Sequence, residues 1–369
     1  MLLGFKTELK LNNQQRTELL KHCGVARHAW NWGLDLTKQI LAHNARHPND
    51  KIKFPTAIDL HKWLVALVKP ECPWYYECSK SAPQFALRAL RLAWKHCFEK
   101  KKSAPRFKKK GKRDSFTLEG AVKILGNNKI QVPKIGVLRT YERLPQVQVK
   151  SVTISREANK WLISFRFDPS APKVEHEDTW FFPVVGVDLG VLNLATLSTG
   201  EIVEGAKSYK RFKAKLSRLQ WLNRHKVIGS ANWKKAQRQI ARLHTKIANI
   251  RKDTLHKLTA LLAKNHGVVV IEDLNVSGMM ANHKLAASVA DMGFFEFRRQ
   301  LTYKCEFYGT KLVIADRWFP SSKTCSNCGT VKEKLSLKVR TFNCECGFSI
   351  NRDLNAAINL ENYSSVTAS

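Results

Sequence analysis

The sequence has no apolar run long enough to cross a bilayer. Val268-Val-Val-Ile271 is only four residues, against the ~20 that a spanning helix needs. The first residues, Met1-Leu-Leu-Gly-Phe-Lys-Thr-Glu-Leu-Lys10, carry neither a basic leader nor a small-residue cleavage site, so they are expected to form a strand rather than a secretory signal. Acidic residues are scarce: 30 Asp and Glu stand against 63 Lys and Arg in 369 residues, a net charge of +33. Solubility of a small domain usually needs a net charge of only about 2 to 8, and this excess repels itself unless a polyanion neutralises it. Nucleic acid is therefore the expected partner, since each phosphate contact releases counterions; no membrane partner is expected. A disulfide framework is also missing. The nine cysteines are an odd number, and five of them (Cys23, Cys72, Cys78, Cys97 and Cys305) are scattered. That usage points to a reduced, cytoplasmic protein, and a DNA partner would place it at the nucleoid when bound.

The 44% hydrophobic content allows a sizeable core, and the length allows roughly two or three domains. After the first strand, residues 12–100 read as mainly helical. Apolar residues recur at helical spacing over Gln14–Leu41 and again over Ser81–Phe98, with Pro48, Pro55, Pro70 and Pro73 marking loops between them. A basic run, Lys100–Arg113, follows. The period then shortens, and strands are predicted at Ser115–Thr117, Val122–Leu125, Lys129–Val132, Gly136–Thr140, Val147–Ile154 and Lys160–Phe167. They suggest a small β-barrel or sandwich that the first strand joins, with the helical block inserted. Asp168–Pro172 reads as a linker, and a second core begins near Phe181. Its elements are a buried strand at Val184–Asp188, a hairpin partner at Asn193–Leu197, a third strand after Gly200, two long basic helices over 208–264, strands at Val268–Glu272 and Lys311–Ala315, and a helix over Phe294–Tyr308.

Three acids occupy special places in this pattern. Asp188 and Glu272 end apolar strands, and Asp353 opens the last, small-residue helix. Singly, each has an ordinary explanation: a turn residue, a rim charge, a helix N-cap. Jointly, acids at strand ends converge above one sheet edge. Three converging carboxylates stay ionised only with cations between them, and hard oxygen ligands beside phosphate select Mg²⁺ or Mn²⁺. Two such ions suit phosphodiester hydrolysis. Asp273 is the alternative to Glu272, but it should point to the opposite side of its strand. The order of the three acids, with a hairpin after the first and a helix after the last, matches an RNase H-like core.

Four further cysteines cluster. Cys325-Ser-Asn-Cys328-Gly is followed after residues 329–343 by Cys344-Glu-Cys346-Gly. This spacing predicts one structural Zn²⁺ held by four thiolates. Gly329 and Gly347 follow the knuckles, where a tight turn favours positive φ. The second knuckle, Cys-x-Cys, is one residue shorter than usual.

Gly186-Val-Asp188-Leu-Gly, Ile271-Glu272-Asp-Leu-Asn, Phe319-Pro-Ser-Ser-Lys-Thr-Cys325 and Arg352-Asp353-Leu-Asn355-Ala-Ala together resemble the TnpB family, transposon-encoded RNA-guided DNA endonucleases related to type V CRISPR effectors. The resemblance covers nearly the whole chain. It implies an α+β multidomain protein, with a β-barrel wedge domain (1–10 and 115–172) interrupted by a helical recognition domain (11–114). An RNase H-like (RuvC) α/β nuclease domain follows (181–320 and 349–369), with an inserted zinc ribbon (321–348). It implies Asp188, Glu272 and Asp353 as catalytic Mg²⁺ ligands, and Cys325, Cys328, Cys344 and Cys346 as zinc ligands. It also implies a guide RNA from the transposon end, a double-stranded target DNA and one protein copy per guide RNA. Asn351 departs from the family's frequent Asp.

If guide pairing reads the sequence, the protein needs mainly a basic channel that follows the heteroduplex. The expected contacts are Arg106, Lys108, Lys109, Lys110 and Arg113 in the basic run, and Lys234, Lys235 and Arg238 on the long helices. The family's recognition helix adds Lys80 and Gln84 as readers of a short duplex motif, Gln reaching adenine and Lys reaching guanine or phosphate. Trp30, Trp32, Trp63 and Trp94, at helical spacing, are expected in the core. The rival function is an RNase H-like DNA transposase acting without a guide. No terminal helix-turn-helix is evident in the sequence, which favours the guided reading.

Overall fold

The computed structural model describes residues 3–167, 183–336 and 339–366. The predicted linker at 168–172 and the start of the second core at Phe181 lie outside the described residues. The chain divides into two compact units, Met1–Ser170 and Ala171–Ser369.

The first unit begins with β1 (Leu3–Lys10), followed by α1 (Asn13–Arg46), α2 (Ala57–Trp63) and α3 (Ser81–Phe98). Asn12 starts α1 with a capping box: its side chain accepts from Gln15 N while Gln15 answers to its backbone. Six strands follow: β2 (Ser115–Glu119), β3 (Lys123–Gly126), β4 (Lys129–Val132), β5 (Gly136–Thr140), β6 (Ser151–Glu157) and β7 (Lys160–Phe167). With β1 they form one antiparallel seven-stranded sheet in the order β2-β6-β7-β1-β5-β4-β3. As expected, β1 belongs to it, paired with β5 on one side and β7 on the other. Leu19, Ala26 and Leu34 of α1, Leu87 and Leu90 of α3, and Phe116, Ile154 and Ile163 of the sheet share one core.

The expected barrel is not closed. β2 and β3 are the two edges, and no ladder joins them. Only residues 120–122 separate them along the chain. Seven flat strands would span ~29 Å at the usual spacing, more than that short link can reach, so the sheet curls. Two things keep its seam open. β3 is short and shifts register between Ile124 and Gly126, which blunts an edge. On the other edge α3 begins against β2, where the Ser81 hydroxyl donates to Glu119 O at 3.3 Å.

The second unit holds a five-stranded sheet. β8 (Val184–Asp188), β9 (Ala195–Leu197) and β10 (Ile202–Val203) lead into helices α4 (Ser208–Arg224) and α5 (Ala231–Asn265). β11 (Val268–Glu272), short helices α6 (Val276–Ala281) and α7 (Ala286–Met292), α8 (Phe294–Tyr308) and β12 (Lys311–Ala315) follow. The strand order is β10-β9-β8-β11-β12. β8, β11 and β12 run parallel, and β9 is antiparallel to β8. Parallel strands buried on both faces read as continuous apolar runs, which is why β8 and β11 stand out in the sequence. After β12 come the cysteine segment with its hairpin, β13 (Thr341–Asn343) and β14 (Ser349–Asn351), and finally α9 (Arg352–Val366).

The two faces of this sheet have different cover. Val185, Val187, Val269 and Ile271 pack with Leu255, Leu258 and Leu262 of α5 and with Phe297 and Leu301 of α8. Val270 and Ala315 pack with Leu360 of α9 on the other side. Strand alternation therefore sends Asp188 and Glu272, which share parity with Gly186 and Val270, to the α9 face.

Candidate active site and cysteine centre

α9 reaches its position because Gly186 has no side chain. A Cβ there would lie 1.9 Å from Ala357 O and 2.5 Å from Glu361 N, so the α9 backbone rests directly on β8. That approach carries Asp353, in the first turn of α9, toward Asp188 and Glu272 at the ends of neighbouring parallel strands. Burial, then the charges of Glu272 and Asp353, push the Asp188 carboxyl well above its ordinary range. Glu272 is also pushed up by burial, against a hydrogen bond donated by the Ser321 hydroxyl and the nearby charge of Arg352. The three acids are not drawn as tight as the cysteines, which are the group of ligand-type side chains that the described residues bring within 4.8 Å of one another.

The ordinary explanation for Asp353 does not apply. Its neighbour Asn351 does the capping, accepting from Asp353 N at 2.9 Å and Leu354 N at 3.2 Å. Asn fills an N-cap as well as Asp does, which accounts for the departure noted at this position. The Asp353 carboxylate has the Arg340 guanidinium at 3.9 Å. Asp273 points elsewhere, as parity requires: it is bonded to Arg298 of α8 and lies 2.6 Å from Arg317.

The cysteine segment brings all four sulphurs together in spite of the short second knuckle. Cys325 Sγ is 3.8 Å from Cys346 Sγ, and Cys328 Sγ is 3.5 Å from Cys344 Sγ. A tetrahedral zinc with bonds of about 2.3 Å has sulphur–sulphur edges of roughly 3.8 Å, so the set fits that ion. Gly329 and Gly347 have φ of 77° and 87°, and their amides close the knuckle turns onto Cys325 O and Cys344 O. Hydrogen bonding with Thr330 holds the Cys328 thiol down to about 6, whereas Cys344, crowded by the other three sulphurs, is pushed up to about 12; a bound cation would favour the thiolate at both. The other five cysteines are free thiols.

Sequence reasoning missed the residues that join the cysteine loop to the acids. Asn355 and Asn359, one turn apart on α9 and buried, both donate to Thr324 O at 2.7 Å. Asn359 also donates to Ser321 O at 2.7 Å, and Asn355 accepts from Ser326 N at 3.0 Å. The loop that carries Cys325 is thereby tied to the helix that carries Asp353, and Ser321 in the same loop reaches Glu272. Two Asn at i, i+4 in an otherwise apolar stripe were the available signal, since buried amides need partners.

The expected nucleic-acid contacts fall in both units. Lys80, Arg106, Lys109, Lys110 and Arg113 are exposed in the first, with Gln84 half-buried in the opening turn of α3; Lys234, Lys235 and Arg238 are exposed on α5 in the second. Lys108 differs. It is half-buried, with Nζ 4.0 Å from the centre of the Trp30 ring, and burial lowers its pKa. No helix among the described residues is long and apolar enough to cross a membrane.

These features define an α+β protein with a carboxylate-bearing mixed sheet and a four-cysteine cluster that could hold a metal ion. Family models described as "Probable transposase", "Cas12f1-like, TNB domain" and "Helix-turn-helix domain" match residues 174–283, 294–360 and 1–46. The last description names a motif that the sequence did not make evident, while in the structure residues 3–46 form a strand and one continuous helix. A "Putative RNA-guided DNA endonuclease" of Streptomyces pristinaespiralis is 35% identical, over 97% of this chain and 88% of its own. One from Escherichia coli K12 is 35% identical, over 97% and 91%. Among solved structures, a Cas12f1–sgRNA–target DNA complex aligns over 95% of this chain and 82% of its own, with TM-score 0.57 and 16% identity. The mini-RNA-guided endonuclease CRISPR-Cas_phi3 aligns over 100% and 92%, with TM-score 0.50 and 10% identity. The chain belongs to the TnpB family.

Proposed function

We propose that this protein is an RNA-guided DNA endonuclease that hydrolyses target DNA beside a short duplex motif, with Asp188, Glu272 and Asp353 as its catalytic metal ligands. The observation that carries the reading is the shared face of Asp188 and Glu272 on adjacent parallel strands, with α9 pressed onto the same face through Gly186. The strand order, with its antiparallel β9, supports an RNase H-like (RuvC) core. The raised pKa of Asp188 marks an acid cluster without enough positive charge of its own, the condition that a divalent cation relieves. When bound, a pair of Mg²⁺ ions, with Mn²⁺ as the alternative, supplies water activation and charge neutralisation at the leaving 3′ oxygen. The chain's own residues hold the carboxylates at one sheet edge, orient Glu272 through the Ser321 hydroxyl, and set the positive charge of Arg352 beside Asp188 and Glu272.

The four cysteines hold one structural Zn²⁺ in this reading, bracing the loop between β12 and α9. The exposed cations of both units bind the phosphates of a guide RNA, one protein copy per RNA, and of a double-stranded target. Lys80 and Gln84 at the start of α3 read the adjacent motif. The description "Probable transposase" for residues 174–283 favours guide-free DNA transposition as the rival. Expression with the native locus separates the two. Copurification of a defined RNA, with Mg²⁺-dependent cleavage only of matching DNA, supports the guided nuclease. RNA-independent cutting that also joins ends overturns it.

A further inference from the structure

Trp30 and Trp94 are in the core, as expected for tryptophans at helical spacing, but Trp63 is 37% exposed, against that expectation. Trp32 is not fully there. It and Trp74, which is 38% exposed, line a cavity of about 550 Å³ beside α1, within the ~300–1,000 Å³ range of ligand pockets. Trp74 is held by stacking on Tyr75 at 4.5 Å. The His28 ring meets Trp74 edge-on at 5.2 Å, and its Nδ1 lies 2.8 Å from the Tyr75 hydroxyl. Burial lowers the His28 pKa, so this imidazole is uncharged at neutral pH. Charged groups also line the cavity: Lys21, paired with Glu77 at 2.9 Å, and Arg27, 3.7 Å from Asp114.

The basic run is fastened next to this cavity. Asn31, one of its lining residues, donates to Lys108 O at 3.0 Å and accepts from Lys108 N at 2.8 Å. Trp30 Nε1 donates to Arg106 O at 3.0 Å. A strand whose phosphates follow Arg106–Lys110 therefore passes close to an aromatic recess. Cationic paths interleaved with aromatic faces are how single strands are held, because every base has a π-face to stack. A nucleobase is uncharged, flat and polar at its edge, which matches uncharged aromatic walls with charged groups beside them.

We propose that the cavity lined by His28, Trp32 and Trp74 takes one unpaired nucleobase, turned out of a nucleic-acid strand that runs along Arg106–Lys110. The proposal rests only on the nucleic-acid-binding half of the function proposed above. The shared ligand chemistry is a base with its phosphodiester, which either an RNA or a DNA strand can supply.

The test measures binding by the full chain, at one fixed salt concentration and without added divalent cation, so cleavage plays no part and a negative result leaves the nuclease reading untouched. The probes are single-stranded oligo(A) of about 12 nucleotides in RNA and in DNA form, each beside an abasic oligomer of equal length. The wild-type chain is expected to bind at least one base-bearing oligomer about 5-fold or more tighter than its abasic partner, as stacking of one base implies. Trp74→Ala should erase that preference and leave affinity for the abasic oligomer unchanged, while Trp74→Phe, which retains a ring, should keep it. A preference confined to RNA assigns the pocket to a guide strand, and one confined to DNA to a target strand. The proposal is overturned if neither sugar gives a base preference, if Trp74→Ala retains it, or if Trp74→Ala weakens abasic and base-bearing oligomers alike.

Discussion

Gly186 in β8 lies directly under the carbonyl of Ala357 in α9, with only 1.9 Å between that oxygen and the place a Cβ would occupy. The contact is with backbone, so no rotamer change relieves it. Gly186→Ala is expected to force α9 away from the sheet and to cost about 1–3 kcal/mol or more, the usual range for overpacking. Thermal or denaturant unfolding measures that loss. Because α9 carries Asp353, DNA cleavage should fall further than stability at the assay temperature explains. Wild-type stability in this variant would mean that α9 does not rest on β8 as described.

Asp188→Ala is expected to reduce cleavage to background while binding of guide and target stays within a few-fold of wild type, since it removes a carboxylate and leaves every proposed phosphate-binding cation in place. Ser321→Ala should be milder. Ser321 is a positioning residue that donates to Glu272, and loss of such outer partners typically costs about 10–100-fold in metal affinity or activity. The deficit should shrink as Mg²⁺ is raised, a response that a folding defect would not give. Undiminished cleavage by Asp188→Ala would refute its assignment.

Much of the candidate site's geometry was readable because it sits where simple periodicities end. β8 and β11 are unbroken apolar runs closed by acids, and parity alone separates Glu272 from Asp273. Asp353 follows a cap residue at the start of a small-residue helix. What could not be read was non-local. Whether β2 pairs with β3 depends on how far seven strands curl and on where α3 abuts the sheet, and no local pattern carries that. Trp30 and Trp32 look alike in sequence, yet only Trp30 is in the core. The ties from Asn355 and Asn359 to the cysteine loop involve partners about 30 residues away or more, which their own segment does not announce.

Lys304 gives a pH dependence of stability. It is 9% exposed in α8, and its Nζ donates to His256 O at 2.6 Å and Thr259 Oγ1 at 2.8 Å. Burial, with the charge of Lys264 second, lowers its pKa from 10.5 to about 8. Below about 8 both folded and unfolded chains carry this proton, and the cost of burying the charge is fully present. Between about 8 and 10.5 the unfolded chain holds a proton that the folded chain has released, so this residue's contribution makes stability rise with pH. The rise is on the order of 3 kcal/mol. Lys304→Met should remove it, so that wild type and variant converge as pH climbs through this window in denaturant titrations. Parallel curves would show that Lys304 does not titrate there.

Metal removal should act on the proposed nuclease centre through the cysteine loop. Four sulphurs meet at spacings that fit a tetrahedral ion, and such an ion contributes folding free energy directly. Zinc chelation, or Cys344→Ser, is expected to open residues 321–348 to limited proteolysis. The ties from Asn355 and Asn359 then lose a fixed partner, Ser321 no longer orients Glu272, and cleavage falls even with Mg²⁺ in excess. Adding Zn²⁺ back after chelation should restore both protease resistance and cleavage, whereas adding Mg²⁺ should restore neither. One zinc per chain by metal analysis is the accompanying expectation. A metal-stripped protein that keeps its resistance in this segment would show that the cysteines hold the loop without an ion.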